Sequence, residues 1–137
     1  MDTREQRPFS FSRYAAVVTR GTLKTGDYSP TEFADLCAVE RKSLDDLIGS
    51  LTTGRDRFER EMERLSHYEC GAVICEGSFE DLIRGRYTSK ALPHSMAQSC
   101  IALSVRFKIP FLWAGSRDAA EYLTFWTIQK FLAEKSK

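Results

Sequence analysis

Residues 71–75 read GAVIC, a run with no charged or polar side chain at any position. Side chains of a strand alternate between the two faces of its sheet. A run that is apolar throughout is therefore covered on both faces, the pattern of a strand inside a layered α/β domain. The surrounding chain agrees. Before it, Leu44, Leu47, Ile48 and Leu51 recur at helical spacing behind Ser43, an N-cap with Asp46 three residues on. After Gly54, a second stripe follows at Phe58, Met62 and Leu65, with Arg and Glu on its outer face. Beyond GAVIC, Ser78 caps a short helix through Leu82 and Ile83, residues 86–93 are turn-like, and residues 95–107 are expected to be helical. IPFLW, 109–113, reads as the last central strand, provided that Pro110 lies at its start or on an edge. Ser116 opens a final helix carrying Ala120, Leu123, Ile128 and Phe131. Earlier in the chain, 15–18 and 22–24 read as strands, and 36–39 as a strand leading into Glu40. Strand–helix alternation of this kind gives an α/β fold with a central parallel or mixed sheet flanked by helices.

The 137 residues suit one domain large enough for a hydrophobic core without metal or disulfide staples. Twenty basic and 19 acidic residues leave a net charge of +1, so bulk charge neither advertises nor excludes a nucleic-acid partner. Cys37, Cys70, Cys75 and Cys100 include no CxxC pair and have only His67 and His94 beside them, which argues against structural zinc. All four sit in or near apolar runs and read as buried free thiols of an intracellular protein. The N-terminal MDTREQRP is charged, so no signal peptide is expected, and no apolar run reaches membrane-spanning length.

The chemistry concentrates at Gly26-Asp27 and Glu40-Arg41-Lys42. On a strand, Glu40 and Lys42 share one face and Arg41 takes the other. If the segment holding Asp27 folds back alongside, two carboxylates and one ammonium meet in one cleft. Two adjacent carboxylates repel unless a positive charge joins them, and a hydrated divalent cation with oxygen ligands meets that need. Such an ion polarises a phosphoryl oxygen and acidifies a bound water. Lys42 would orient that water and offset charge on the phosphate. By spacing alone, the same trio also suits a solvated sheet edge.

The combined pattern resembles the ERCC4-type (XPF-like) nuclease domain of structure-specific DNA endonucleases. The signature of that family is GD, a variable stretch, ERK, three residues and Asp. Here Gly26-Asp27, Glu40-Arg41-Lys42 and Asp46 match it, as does DTRE at residues 2–5. ERKSLDDLIGSL, GRDRFERE, SVRFKIPFLWAG and SRDAAEYL extend the resemblance over essentially the whole chain. It implies a single nuclease domain over 1–137 with a restriction-endonuclease-like core, and hydrolysis of DNA near branched, flap or fork junctions. Asp27 and Glu40 would ligate Mg²⁺ or Mn²⁺, with Asp2 as a further contact, and Lys42 would serve the water and the scissile phosphate. Arg4, Glu5, Arg41 and Asp46 would fill the other active-site positions, Arg4 on a phosphate oxygen and Asp46 bracing Lys42 or Arg41. Glu76, at the end of GAVICE, is a further candidate for the same cleft.

Arg55 and Arg57 near the start of the second helix, and Arg86 and Lys90 in the loop RGRYTSK, are candidate DNA contacts, with a solvated face as the equal alternative. The helix-hairpin-helix and helicase segments common in the family are not in these 137 residues, so either a stand-alone nuclease or an excised domain is expected. DNA binding should be weak and salt-sensitive, and a separate DNA-binding partner could supply what is missing. Crowded aromatics at Phe125, Trp126 and Phe131 point to a homodimer, or a heterodimer, through this domain. The rival functions are a catalytically idle scaffold and a Holliday-junction resolvase-like nuclease. The location would be cytoplasm or nucleoid for a bacterial or phage protein and nucleus for a eukaryotic one.

Overall fold

The computed structural model describes residues 9, 26–30, 32–33 and 35–137. The strands expected over 15–18 and 22–24, and Asp2, Arg4 and Glu5, lie outside the described residues. In chain order the elements are β1 (Cys37–Lys42), α1 (Leu44–Leu51), α2 (Arg55–Ser66), β2 (Cys70–Cys75), α3 (Phe79–Ile83), α4 (Pro93–Phe107), β3 (Phe111–Trp113) and α5 (Arg117–Lys135). The strands lie in the order β1-β2-β3 and pair in parallel, with Glu40 opposite Val73 and Lys42 opposite Cys75. An antiparallel bridge from Tyr28 to Val39 adds the opposite sense on the free side of β1. The fold is α/β, with a mixed, mainly parallel sheet between helices, consistent with a restriction-endonuclease-like core.

Period-2 alternation divides the core. Ala38, Val73 and Cys75 face α1, α2 and α4, where Leu47, Ile48, Phe58, Met62 and Leu65 are buried. Val39 and Ile74 face the other way and pack with Phe9, Tyr28 and Ala120 of α5. β1 thus carries Ala38, Glu40 and Lys42 toward α1 and α2, and Val39 and Arg41 toward α5. Close approach of α2 needs a small residue on β2, because a Cβ on Gly71 would meet Leu65 Cγ at 2.8 Å.

The caps follow local chemistry. Ser43 Oγ accepts from Asp46 N at 3.1 Å, Ser78 and Asp81 form a reciprocal capping box, and Ser116 Oγ accepts from Ala119 N. Two boundaries differ from the sequence expectation. α4 begins at Pro93 rather than 95, since proline is pre-shaped for a first helical position where no N–H is required. The last strand is Phe111–Trp113 rather than 109–113. Ile109 N instead donates to Ser104 O at the end of α4, and Pro110 lies just before the strand, its carbonyl accepting from Val73 N. Among the described residues, β3 pairs on one side only. All four cysteines are free, and Cys70 is the one that is not fully buried.

Candidate active site

The site forms where β1 leaves the core. The first four residues of β1 are buried and the last two half-buried, so ERK carries its charges out at the carboxyl end of a parallel strand. Asp27 reaches it through backbone pairing. Asp27 N and Tyr28 N both donate to Val39 O, and Val39 N donates to Tyr28 O. Gly26 permits this approach: its φ is +80°, and an added Cβ would stand 2.8 Å from Ala38 Cβ. Asp27 Oδ2 then accepts from the backbone N–H of Arg41 at 2.7 Å, which fixes the carboxylate beside the strand.

Glu40 is 9% exposed, and its carboxyl is pushed up to about 8, first by burial and then by the charge of Asp27, with Glu61 adding to it and Lys42 opposing. Lys42 Nζ lies 3.5 Å from Glu40 Oε1 and 5.3 Å from the centre of the Phe58 ring. The cleft around them has a volume of about 450 Å³ and opens between β1, α1 and α2.

Several expected positions fall elsewhere. Arg41 projects away from the cleft: its guanidinium pairs with Glu76 and lies 4.1 Å over the Phe9 ring. It serves Asp27 through its main chain. Glu76 is thereby committed to the opposite face from the cleft. Asp46 lines the cleft, but no ion pair joins it to Lys42 or Arg41, whose partners are Glu40 and Glu76. Arg55 turns to α4, donating to Glu59 and to Ser99 Oγ. Arg86 pairs with Asp81 at 3.0 Å, and Lys90 is exposed in the loop after α3. That loop is tied to the cleft rim, since both the backbone N–H and the hydroxyl of Thr88 donate to the Asp45 carboxylate. Arg57 alone of the four expected DNA contacts lines the cleft.

Glu61 and Arg64 were not anticipated. Both line the cleft, on the α2 face shared with Arg57. The signal was present: 57, 61 and 64 keep helical spacing one residue before the buried stripe at 58, 62 and 65.

The donor set suits a hard divalent cation. Two carboxylates, one of them buried and left short of positive charge, are the ligands such an ion prefers. Among the described residues, no group of three or more His, Cys, Asp or Glu comes together to hold a metal. Asp27 and Glu40 would be the protein's share, and Mg²⁺ commonly takes one or two carboxylates and fills the remainder with water and substrate phosphate.

The ERCC4 domain model matches residues 1–125. The chain belongs to the ERCC4 domain family. Its fold is similar to that of XPF from Aeropyrum pernix, with a TM-score of 0.75 and 24% sequence identity over 96% of this chain. The chain spans 63% of the length of that protein. No protein of curated function matches it in sequence. Of the signature residues named above, Gly26, Asp27, Glu40, Lys42 and Asp46 line the cleft and Arg41 does not.

Proposed function

We propose that the protein is a metal-dependent endonuclease that hydrolyses DNA phosphodiester bonds near branches, flaps or forks. One observation carries this reading: a buried Glu40 beside Asp27 and Lys42, in a cleft at the carboxyl end of a parallel strand. Asp27 and Glu40 would hold Mg²⁺ or Mn²⁺, with Asp2 as a further contact. When bound, such an ion would polarise the phosphate and acidify a water. Burial pushes the Glu40 carboxyl up to about 8, so it holds a proton at neutral pH. The main chain of Arg41 holds the Asp27 carboxylate in position. Lys42, steadied by Glu40 and Phe58, keeps an ammonium at the cleft to orient the water and offset phosphate charge. Arg4 engages a phosphate oxygen, and Glu5 and Asp46 complete the surround.

The 137 residues act as one nuclease domain of an intracellular protein, consistent with its free cysteines. Copies pair through α5, where Tyr122 is 54% and Trp126 39% exposed, and another chain supplies further DNA-binding surface. Light scattering over a dilution series that gives only monomer would remove the pairing.

The test is cleavage of labelled 3′-flap, fork, four-way and plain duplex DNA with Mg²⁺ or Mn²⁺. Cutting of flaps and forks over plain duplex is the expected result. Cutting confined to four-way junctions makes the protein a resolvase-like nuclease. Folded protein that binds branched DNA and cuts none of it makes it a scaffold.

A further inference from the structure

We infer that Arg57 and Arg64 form a track for the backbone phosphates flanking the scissile bond, so that the DNA strand enters the cleft along α2 and not across α1. This rests on the nuclease reading above. Among the described residues, the cleft lining holds four carboxylates besides the buried Glu40, namely Asp27, Asp45, Asp46 and Glu61, against three cations, Lys42, Arg57 and Arg64. A cleft with this excess of acid repels a polyanion except where its cations reach outward. Lys42 is half-buried and engaged with Glu40, so it does not meet the incoming strand first.

The two walls differ. α1 presents Asp45 and Asp46, both exposed acids. α2 presents Arg57, whose side chain is 77% exposed with a single 3.5 Å pairing to Glu61, and Arg64, exposed with no side-chain ion pair among the described residues. Seven residues separate the two arginines, a rise of about 10 Å along a helix, or about three nucleotide steps of a strand. They therefore meet different phosphates, and both stay on one helix face. Other basic residues have less to offer. Arg55 is spent on Glu59 and Ser99, and Arg86 on Asp81. Lys90 stands in the loop fastened to Asp45, on the acidic side.

The experiment is equilibrium binding of a fluorescent 3′-flap duplex to the 137-residue chain, without divalent cation, between about 50 and 200 mM salt. Wild type is compared with Arg57→Gln/Arg64→Gln and with Arg86→Gln/Lys90→Gln. All four side chains are exposed, and thermal melting checks that both variants fold. The slope of log affinity against log salt should shrink by about 2 in the first variant, one for each lost phosphate contact, and keep its wild-type value in the second. A first variant with the wild-type slope overturns the track while leaving a cutting wild type a nuclease. So does an equal loss in the second variant. A wild type that neither binds nor cuts DNA overturns the nuclease reading and the track together.

Discussion

Arg41 and Lys42 are consecutive residues of one strand, yet they serve different halves of the molecule. Lys42 follows Glu40 onto the α1–α2 face and ends in an open cleft, 3.5 Å from a carboxyl that burial keeps protonated at neutral pH. Arg41 goes to the α5 face, where its side chain is 7% exposed, paired with Glu76 and stacked on Phe9. The Arg41 side is satisfied: its cation has a carboxylate and an aromatic ring. The Lys42 side is open: Glu40 and Phe58 hold its cation more loosely, at 3.5 and 5.3 Å, in a cleft with room for a divalent cation and a phosphate. Charge that is paired and enclosed holds a fold together. Charge that faces an open cleft is left for a ligand.

That contrast can be broken by substitution. The largest stability effect belongs to Arg41→Ala, which strands Glu76 in a part-buried setting and should cost roughly 3–5 kcal/mol in urea unfolding. A loss below about 1 kcal/mol would put the pair in the class of surface bridges. Gly26→Ala comes next, at about 1–3 kcal/mol, because a left-handed backbone and a Cβ 2.8 Å from Ala38 both oppose it. Wild-type stability after this change would mean that Asp27 is not held against β1 as described.

Glu40 sharpens the comparison through pH. Its folded carboxyl titrates near 8 against 4.5 for the ordinary group. Between those values the folded state holds a proton that the unfolded state has lost. Its contribution to stability is complete below about 4.5 and falls by about 1.4 kcal/mol per pH unit until about 8. Metal-free Glu40→Gln should lack that slope, and Mg²⁺ should flatten it in the wild type by favouring the charged form. Parallel stability profiles for wild type and Glu40→Gln would contradict this account of the site. The smallest effect is expected for Arg55→Gln, whose side chain bonds Glu59 and Ser99 rather than DNA: about 1 kcal/mol or less in stability, and no change in DNA affinity.

Strand period and helical stripes were enough to read the architecture, because they are local. GAVIC gave β2, the 44–51 and 58–65 stripes gave α1 and α2, and period 2 separated Arg41 from Glu40 and Lys42. Orientation between elements was not local. That Arg55 turns to α4 while Arg57, Glu61 and Arg64 flank the cleft depends on how α2 lies across the sheet, which one helix does not encode alone. Glu76 is only a candidate for the cleft from its place at a strand end. Its pairing with Arg41 depends on β1 and β2 register, which joins Lys42 to Cys75, has Glu76 N donate to Lys42 O and brings the Glu76 carboxylate to Arg41.

The measurement closest to the central claim is single-turnover cleavage of a 3′-flap duplex with Mg²⁺ by Lys42→Ala and Arg41→Ala, compared at equal folded fraction. The account predicts that Lys42→Ala loses about 10²–10³-fold in rate, the usual range for removal of one group that stabilises developing charge, while Arg41→Ala keeps most of its activity per folded molecule. Equal losses in the two, or a Lys42→Ala protein that cuts like the wild type, would contradict it.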